Sequence, residues 1–322
     1  MGAGIDSALR FGIKDTLAEM SFEDFGKLLA AFSKGVGIDE LVKKLPNYSS
    51  QEILDIFDNF NEYTDEEAQN VINFSISNAE CAVDHYDDNS PITLASGGRL
   101  SASAIGLYPQ YVKQVLVSNE MAQLPEVRLC LLKAAQMNVP IEIHPDSFFA
   151  DKVNNSRFQT VMDKRYMPLE KDKPHIMVYD SVNRSNLGAI IRSGVAFGFT
   201  NFALVATNYS MFHPKVIRVS RCLIYSVNCM QYATMDDYLA DYPDRALYPF
   251  ALDSSITIDE AVAAGIPQNS TVIFGNETKG LPKEISSLGK AVRIPIRTSV
   301  DSLNVASAAT IGLYVFAKAL NI

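Results

Sequence analysis

Cysteine is scarce in this 322-residue chain, and the four present (Cys81, Cys130, Cys222 and Cys229) form no C-x-x-C pair. The four histidines do not gather near them. No zinc or other metal site is therefore expected, and isolated cysteines in a chain this long fit a reducing cytoplasm and core packing. No apolar run approaches the roughly 20 residues of a membrane span, so a membrane is not an expected partner. The first residues lack the basic and apolar regions of a secretory signal, which also points to the cytoplasm. Two glycine fingerprints are missing. Gly2-Ala3-Gly4 follows no strand, and no glycine loop has P-loop spacing, which argues against a Rossmann-type nucleotide enzyme and against ATP hydrolysis. Positive charge is short as well. A net charge of −9 disfavours loose, sequence-blind nucleic-acid binding. It leaves room for a local basic surface that recognises a structured RNA.

The charge is uneven. Residues 1–90 hold 6 Lys/Arg against 18 Asp/Glu, and residues 91–322 hold 22 against 19, which suggests separate modules. The acidic third has apolar residues at helical spacing, in Phe22, Phe25, Leu28, Leu29 and Phe32 and again in Ile53, Ile56, Phe57 and Phe60. Ser21, Ser49-Ser50 and Thr64 each precede acidic residues, as helix starts do. A small helical bundle for packing or docking is expected there. Further on, a strand at Tyr111–Val117, a helix at Pro125–Met137 and a strand at Val139–Ile143 make a β-α-β unit. Leu169–Pro174 has the composition of a linker. From residue 174 strands and helices alternate, with strands at Ile176–Tyr179, Phe202–Val205, Ala246–Leu252, Thr271–Phe274 and Ala291–Ile296. The helices fall at Leu187–Phe197, Asp259–Ala264 and Asn304–Leu320. The expected fold class is α/β, with a mostly parallel sheet covered by helices on both faces. The expected domains are an acidic helical region (1–95), a small α/β substrate domain with linker (96–170) and a larger α/β domain (171–322).

Such sheets take ligands at the carboxyl ends of their strands. Three polar stretches lie there: Asn186–Arg192, Phe274–Pro282, and Ile294–Ile296 followed by Asp301–Ala306. Asn186 is placed to cap a helix. Arg192 has apolar neighbours, so it needs an anionic or carbonyl partner, which could be an internal acid or a phosphate or ribose. Gly275 and Gly280 bracket a turn whose exposed N–H and C=O groups could suit an adenine base. Glu277, taken alone, is an ordinary solvated turn acid. Ser302 can cap the last helix, yet Asp301, Ser302 and Asn304 together are more polarity than one cap needs.

In order and spacing these stretches resemble the three motifs of the SPOUT methyltransferases, in the TrmH-like (SpoU) branch. The motifs are Asn-x-Gly-x-x-x-Arg ending in Phe-Gly at 186–198, a strand then Gly-x-Glu-x-x-Gly-Leu at 271–281, and Ile-Pro-x with Ser-Leu-Asn-Val at 294–309. The resemblance spans residues 174–322. It implies a C-terminal trefoil knot, S-adenosylmethionine as cofactor, a homodimer, and methyl transfer to a ribose 2′-hydroxyl of structured RNA. Ribosomal RNA is the first expectation and transfer RNA the second. It also implies that Gly275, Ile294 and Leu303 hold the cofactor through backbone groups. Arg192 matches an arginine proposed to activate the hydroxyl, and Asn186, Glu277, Ser302 and Asn304 match the surrounding catalytic set. One departure stands out. Where the family has Ser-x-Gly, this chain has Ser220-Arg221-Cys222. Residues 100–165 resemble, more weakly, the small RNA-binding domain upstream of the catalytic domain in ribosomal-RNA members. The alternative reading is an RNA-binding relative that keeps the fold without the catalysis.

Overall fold

The computed structural model describes residues 15–60, 88, 90–149, 156–181, 183–207, 209–297, 299 and 301–322. The helix start at Thr64 and the thiol of Cys81 lie outside them. The chain forms two compact units, one built from residues up to 85 together with 91–163, the other from 86–90 together with 164–322.

The first unit opens with helices α1 (Phe22–Lys34), α2 (Ile38–Lys44) and α3 (Ser50–Phe60). The Ser21 hydroxyl accepts from the Asp24 N–H at 3.1 Å to start α1, and Gly35 in the left-handed region ends it. Ser49 and Glu52 exchange hydrogen bonds at the head of α3, as a capping box does. Phe25, Leu28, Ile53 and Ile56 are buried, so the helical periodicity marks the inward face. Next come β1 (Ile92–Ser96), α4 (Gly98–Leu107), β2 (Val112–Ser118), α5 (Pro125–Gln136), β3 (Ile141–His144) and β4 (Phe158–Asp163). The sheet order is β1-β4-β2-β3; only β2 and β3, joined by α5, are parallel. Arg128 of α5 is 2% exposed. Its guanidinium stacks on Phe25 and donates to the carbonyls of Leu17, Met20 and Ala122. The acidic helices and the small sheet thus share one interior.

The second unit contains β5 (His175–Tyr179), α6 (Arg184–Ala196), β6 (Asn201–Val205), α7 (Pro214–Ser220), β7 (Asn228–Tyr232) and α8 (Met235–Asp241). These are followed by β8 (Ala246–Pro249), α9 (Ile258–Ala263), β9 (Ser270–Phe274), α10 (Lys283–Ser286) and α11 (Val305–Leu320). All five strands are parallel, in the order β7-β6-β5-β9-β8. Met177, Ala203 and Ile273 face a layer that includes Met235 and Tyr238 of α8 and Ile285 of α10. On the opposite face α6 lies so close that a Cβ on Gly194 would meet Ile176 and Phe202. Covering on both faces explains why β5, β6 and β9 are almost wholly buried runs without alternation.

Several sequence expectations need correction. The Leu169–Pro174 stretch is anchored to the second unit. Leu169 exchanges hydrogen bonds with the Tyr242 hydroxyl, and Arg245 donates to the carbonyls of Lys171 and Lys173. Ala291–Ile296 is not a full strand. Pro295 has no N–H to give, and pairing is confined to Val292 beside Phe250 and Arg293 beside Thr257. The Val292 N–H and C=O bond Pro249 and Ala251, while those of Arg293 bond Ile256 and Ile258. Residues 292–293 therefore run between two arms of the 249–258 loop. The helix expected from Leu187 begins at Arg184, capped by Asn183 rather than Asn186, and α11 is capped by Asn304 rather than Ser302.

At the amino ends of the strands, Arg245 Nε donates to Thr271 Oγ1 (2.7 Å), which lies 2.7 Å from the Tyr238 hydroxyl. That hydroxyl is 2.9 Å from His175 Nδ1, and His175 Nε2 is 2.8 Å from the Glu170 carbonyl. A carbonyl only accepts, so Nε2 carries the proton, Nδ1 accepts from Tyr238, and His175 is neutral. Burial, reinforced by Arg245, takes its pKa down to about 3. Among the described residues no helix is long and apolar enough to cross a membrane.

Candidate active site

The chain leaves β5 toward β6 and β7 on one side and returns through β8 and β9 on the other. The crevice beyond the carboxyl ends of β5 and β9 is thus the topological switch point of the sheet, where ligands bind in open α/β folds. Asp180 follows β5 with φ +47°, a conformation that aspartate tolerates better than most side chains. Its carbonyl accepts from Asn276 Nδ2 at 2.7 Å. The Asn276 side chain also accepts from the N–H groups of Thr278 and Lys279, so one buried amide folds the turn after β9 and ties it to β5. Gly275 is required here. A Cβ would sit 2.7 Å from backbone atoms of Gly280 and Leu281, where the turn folds back on itself.

The three polar stretches converge. Glu277 Oε1 accepts from Ser181 Oγ at 2.5 Å and from Asn186 Nδ2 at 3.0 Å. Asn186 Oδ1 accepts from Asn304 Nδ2 at 3.3 Å. Asn304 Oδ1 meanwhile caps α11 through the N–H groups of Ala306 and Ser307. One hydrogen-bonded line thus runs from the end of β5 through the turn after β9 and the first turn of α6 to the head of α11. Each amide is oriented by the bond its other end makes. Glu277 is half-buried and Asn186 buried, so neither is a solvated surface group.

Beside this line lies a cavity of about 610 Å³. Gly275, Ile294 and Leu303 line it, with Phe250, Leu281 and Ile296 as further apolar wall and Glu277, Ser302 and Asp301 among its polar groups. Its size and mixed lining suit a nucleoside-sized ligand. Ser302 is exposed and lines the cavity without joining the line of amides. Arg192 is elsewhere. It is exposed on α6, six residues and about 240° of helix rotation beyond Asn186. Its side chain makes no hydrogen bond or ion pair among the described residues. Ser181 and Asn276 escaped the sequence reading. The Asn-Glu pair inside a glycine-bracketed turn was a usable signal for Asn276, whereas nothing in Asp180-Ser181 marks the serine.

The Ser220-Arg221-Cys222 departure has a backbone consequence. Arg221 (φ +54°) and Cys222 (φ +63°) are both left-handed, closing α7 with the Cys222 N–H on the Ile217 carbonyl. Cys222 is fully buried, and burial pushes its thiol up to about 12.

A parallel α/β domain with a nucleoside-sized cavity at its switch point, lined by a carboxylate that a chain of amides holds in place, is a recognisable class of ligand-binding architecture. Residues 173–314 match the model of the SpoU rRNA Methylase family. The 23S rRNA (adenosine(1067)-2′-O)-methyltransferase of Streptomyces laurentii is 30% identical over 155 residues, which are 47% of this chain and 56% of that protein. The chain therefore spans little more than half the length of that relative. Two solved structures share the fold. The SpoU methyltransferase AviRb from Streptomyces viridochromogenes, in complex with the cofactor AdoMet, aligns with a TM-score of 0.58 at 19% identity. That alignment covers 71% of this chain and 90% of AviRb. The AdoMet-bound rRNA methyltransferase from Sinorhizobium meliloti aligns with a TM-score of 0.58 at 21% identity, over 71% and 88%.

Proposed function

We propose that the chain transfers a methyl group from S-adenosylmethionine to a ribose 2′-hydroxyl of a structured RNA. The observation that carries this reading is the cavity lined by Gly275, Ile294 and Leu303, bordered by the Ser181–Glu277–Asn186–Asn304 line. The residues fit the cofactor. The apolar walls of Leu281, Ile294 and Leu303 suit an adenine face, and the turn closed by Gly275 and Gly280 offers backbone groups to its edge. When bound, the cofactor supplies a methyl group already activated on a sulfonium. Much of the protein's task is then to place a weakly nucleophilic hydroxyl and to tune the charge around it. Glu277, held by two donors, sets a fixed negative charge at the cavity, and Asn186 and Asn304 hold its loop against α6 and α11. Arginine is a poor base at its usual pKa, so Arg192 serves to orient the hydroxyl or a neighbouring phosphate.

We infer a homodimer as the working form. Ile311 (42% exposed) and Tyr314 (50% exposed) form an apolar stripe on α11, and Arg192 lies on the exposed side of α6, against which α11 packs. An arginine so placed is suited to serve a partner's site. The passage of residues 292–293 between the arms of the 249–258 loop supports a C-terminal trefoil knot, the rare exception to unknotted chains. The unit containing the acidic helices and the small sheet is assigned to substrate recognition, with ribosomal RNA ahead of transfer RNA. Calorimetry tests the cofactor half of the reading. S-adenosylmethionine should bind the parent and fail to bind Gly275→Leu. Absence of binding to the parent, with and without RNA, contradicts it.

A further inference from the structure

Arg184 is the first residue of α6, and it sits against the preference of its position. Helix amino termini carry partial positive charge and disfavour cations. Its Nε is buried and has no hydrogen-bond partner among the described residues. Asp180 and Glu277 stand on neighbouring loops, yet Arg184 forms no ion pair among the described residues. Its guanidinium instead lies over the ring of Tyr209, 5.2 Å from the centroid. Tyr209, in the loop after β6, is 3% exposed, and its hydroxyl is a second buried polar atom without a partner of hydrogen-bond geometry among the described residues. Burial pushes that hydroxyl up to about 12, with Ser181 opposing, so it is a phenol and a donor at neutral pH. Orphaned polar atoms in a folded interior call for an explanation, and an absent ligand is one.

The surroundings select an anion. His213 caps α7 by accepting the Lys215 N–H on Nδ1 at 3.0 Å, which puts its proton on Nε2. Burial, then the charge of Arg184, draws its pKa down to about 4 against the opposing pull of Asp88, so it is neutral. Lys215 and Lys164 add positive charge to the same neighbourhood. A guanidinium whose Nε lacks an acceptor, set over a buried phenol, wants a ligand rich in acceptor oxygens and negative charge. None of Arg184, Tyr209 or His213 lines the cavity assigned to the cofactor. They belong to the β6 side, beyond the Glu277–Asn186 contact. We propose that Arg184, backed by Tyr209, grips a phosphate of the RNA next to the ribose to be methylated. The proposal rests on the RNA reading above. It makes Arg184 a substrate-positioning residue, with Asn186 two residues along the same helix.

The test has two arms. In the first, protein with ¹⁵N-labelled arginine is titrated with inorganic phosphate, the Arg184 Nε–H signal being identified by its loss in Arg184→Lys. In the second, binding to an unmodified transcript of large-subunit ribosomal RNA is measured across a salt series. Arg184→Ala should weaken binding about tenfold and make the slope of log K against log salt shallower by about 1, with S-adenosylmethionine affinity unchanged. Tyr209→Phe should weaken RNA binding severalfold with the slope unchanged, because the lost donor is neutral. If the parent ignores the transcript and a transfer-RNA transcript alike while phosphate still shifts the Arg184 signal, the RNA reading fails and the anion site stands. The site is overturned if the parent binds RNA and Arg184→Ala keeps its slope, or if phosphate leaves the Arg184 signal unmoved.

Discussion

Glu277 illustrates what a single residue reveals only in company. Alone in the sequence it is a turn acid that water would satisfy. Folded, it accepts from Ser181 and Asn186 and joins two loops. Glu277→Ala leaves both donors short of their acceptor, at a cost of about 1–3 kcal/mol. Chemical denaturation should show that loss, and methyl transfer should fall at least tenfold; transfer at the parent rate would remove Glu277 from the site. Asn304 was legible as a polar group beside the last helix, but its two jobs, capping α11 and bonding Asn186, depend on a contact 118 residues away. Cys222 was legible only as a departure from a glycine pattern. Its positive φ supplies the reason for that pattern, since glycine adopts the left-handed region without strain. Cys222→Gly trades relief of that strain against lost packing and should stay within about 1 kcal/mol of the parent. Cys222→Val, β-branched in the same conformation, should lose more than about 2 kcal/mol in the same measurement.

Elements with long apolar runs or clear periodicity were legible: β5, β6, β9, α5, α6 and α11 all lie within a few residues of their expected places. The segment from Pro214 to Asp241 was not. The helices α7 and α8 have seven residues each, and edge strand β7 mixes buried and half-exposed positions, so none shows a sustained period. The hydrogen-bonded line from Arg245 through Thr271, Tyr238 and His175 to Glu170, which clamps the amino ends of β5 and β9, was equally invisible, because its members are scattered between residues 170 and 271. It has a pH consequence. The folded pKa of His175, about 3, lies below its ordinary 6.5. The unfolded chain therefore takes up the proton first. The stabilisation is complete above pH 6.5 and declines as pH falls toward 3, by up to about 1.4 kcal/mol per pH unit. Thermal melts from pH 7 to pH 5 should show this decline. His175→Gln, less stable at pH 7, should show a shallower one; parallel curves for the two proteins would contradict the assignment.

At the scale of the molecule, the β/α alternation of the last 150 residues foretold a parallel sheet, and the order of three motifs foretold that distant loops meet at its carboxyl edge. Composition gave no sign that the acidic helices and the small sheet share one interior, because that depends on Arg128 reaching the carbonyls of Leu17 and Met20 over more than 100 residues. The pairing of residues 292–293 with both arms of the 249–258 loop is likewise a property of the whole path and of no local pattern. The central claim concerns where the methyl group goes. The most direct measurement incubates the protein with S-adenosylmethionine carrying a trideuterated methyl group and, in separate reactions, unmodified ribosomal and transfer RNA, digests each RNA to nucleosides, and analyses them by mass spectrometry. A nucleoside whose ribose fragment carries the added CD₃ group is the predicted result. A CD₃ group on a base fragment, or none in any nucleoside from ribosomal or transfer RNA, would contradict it.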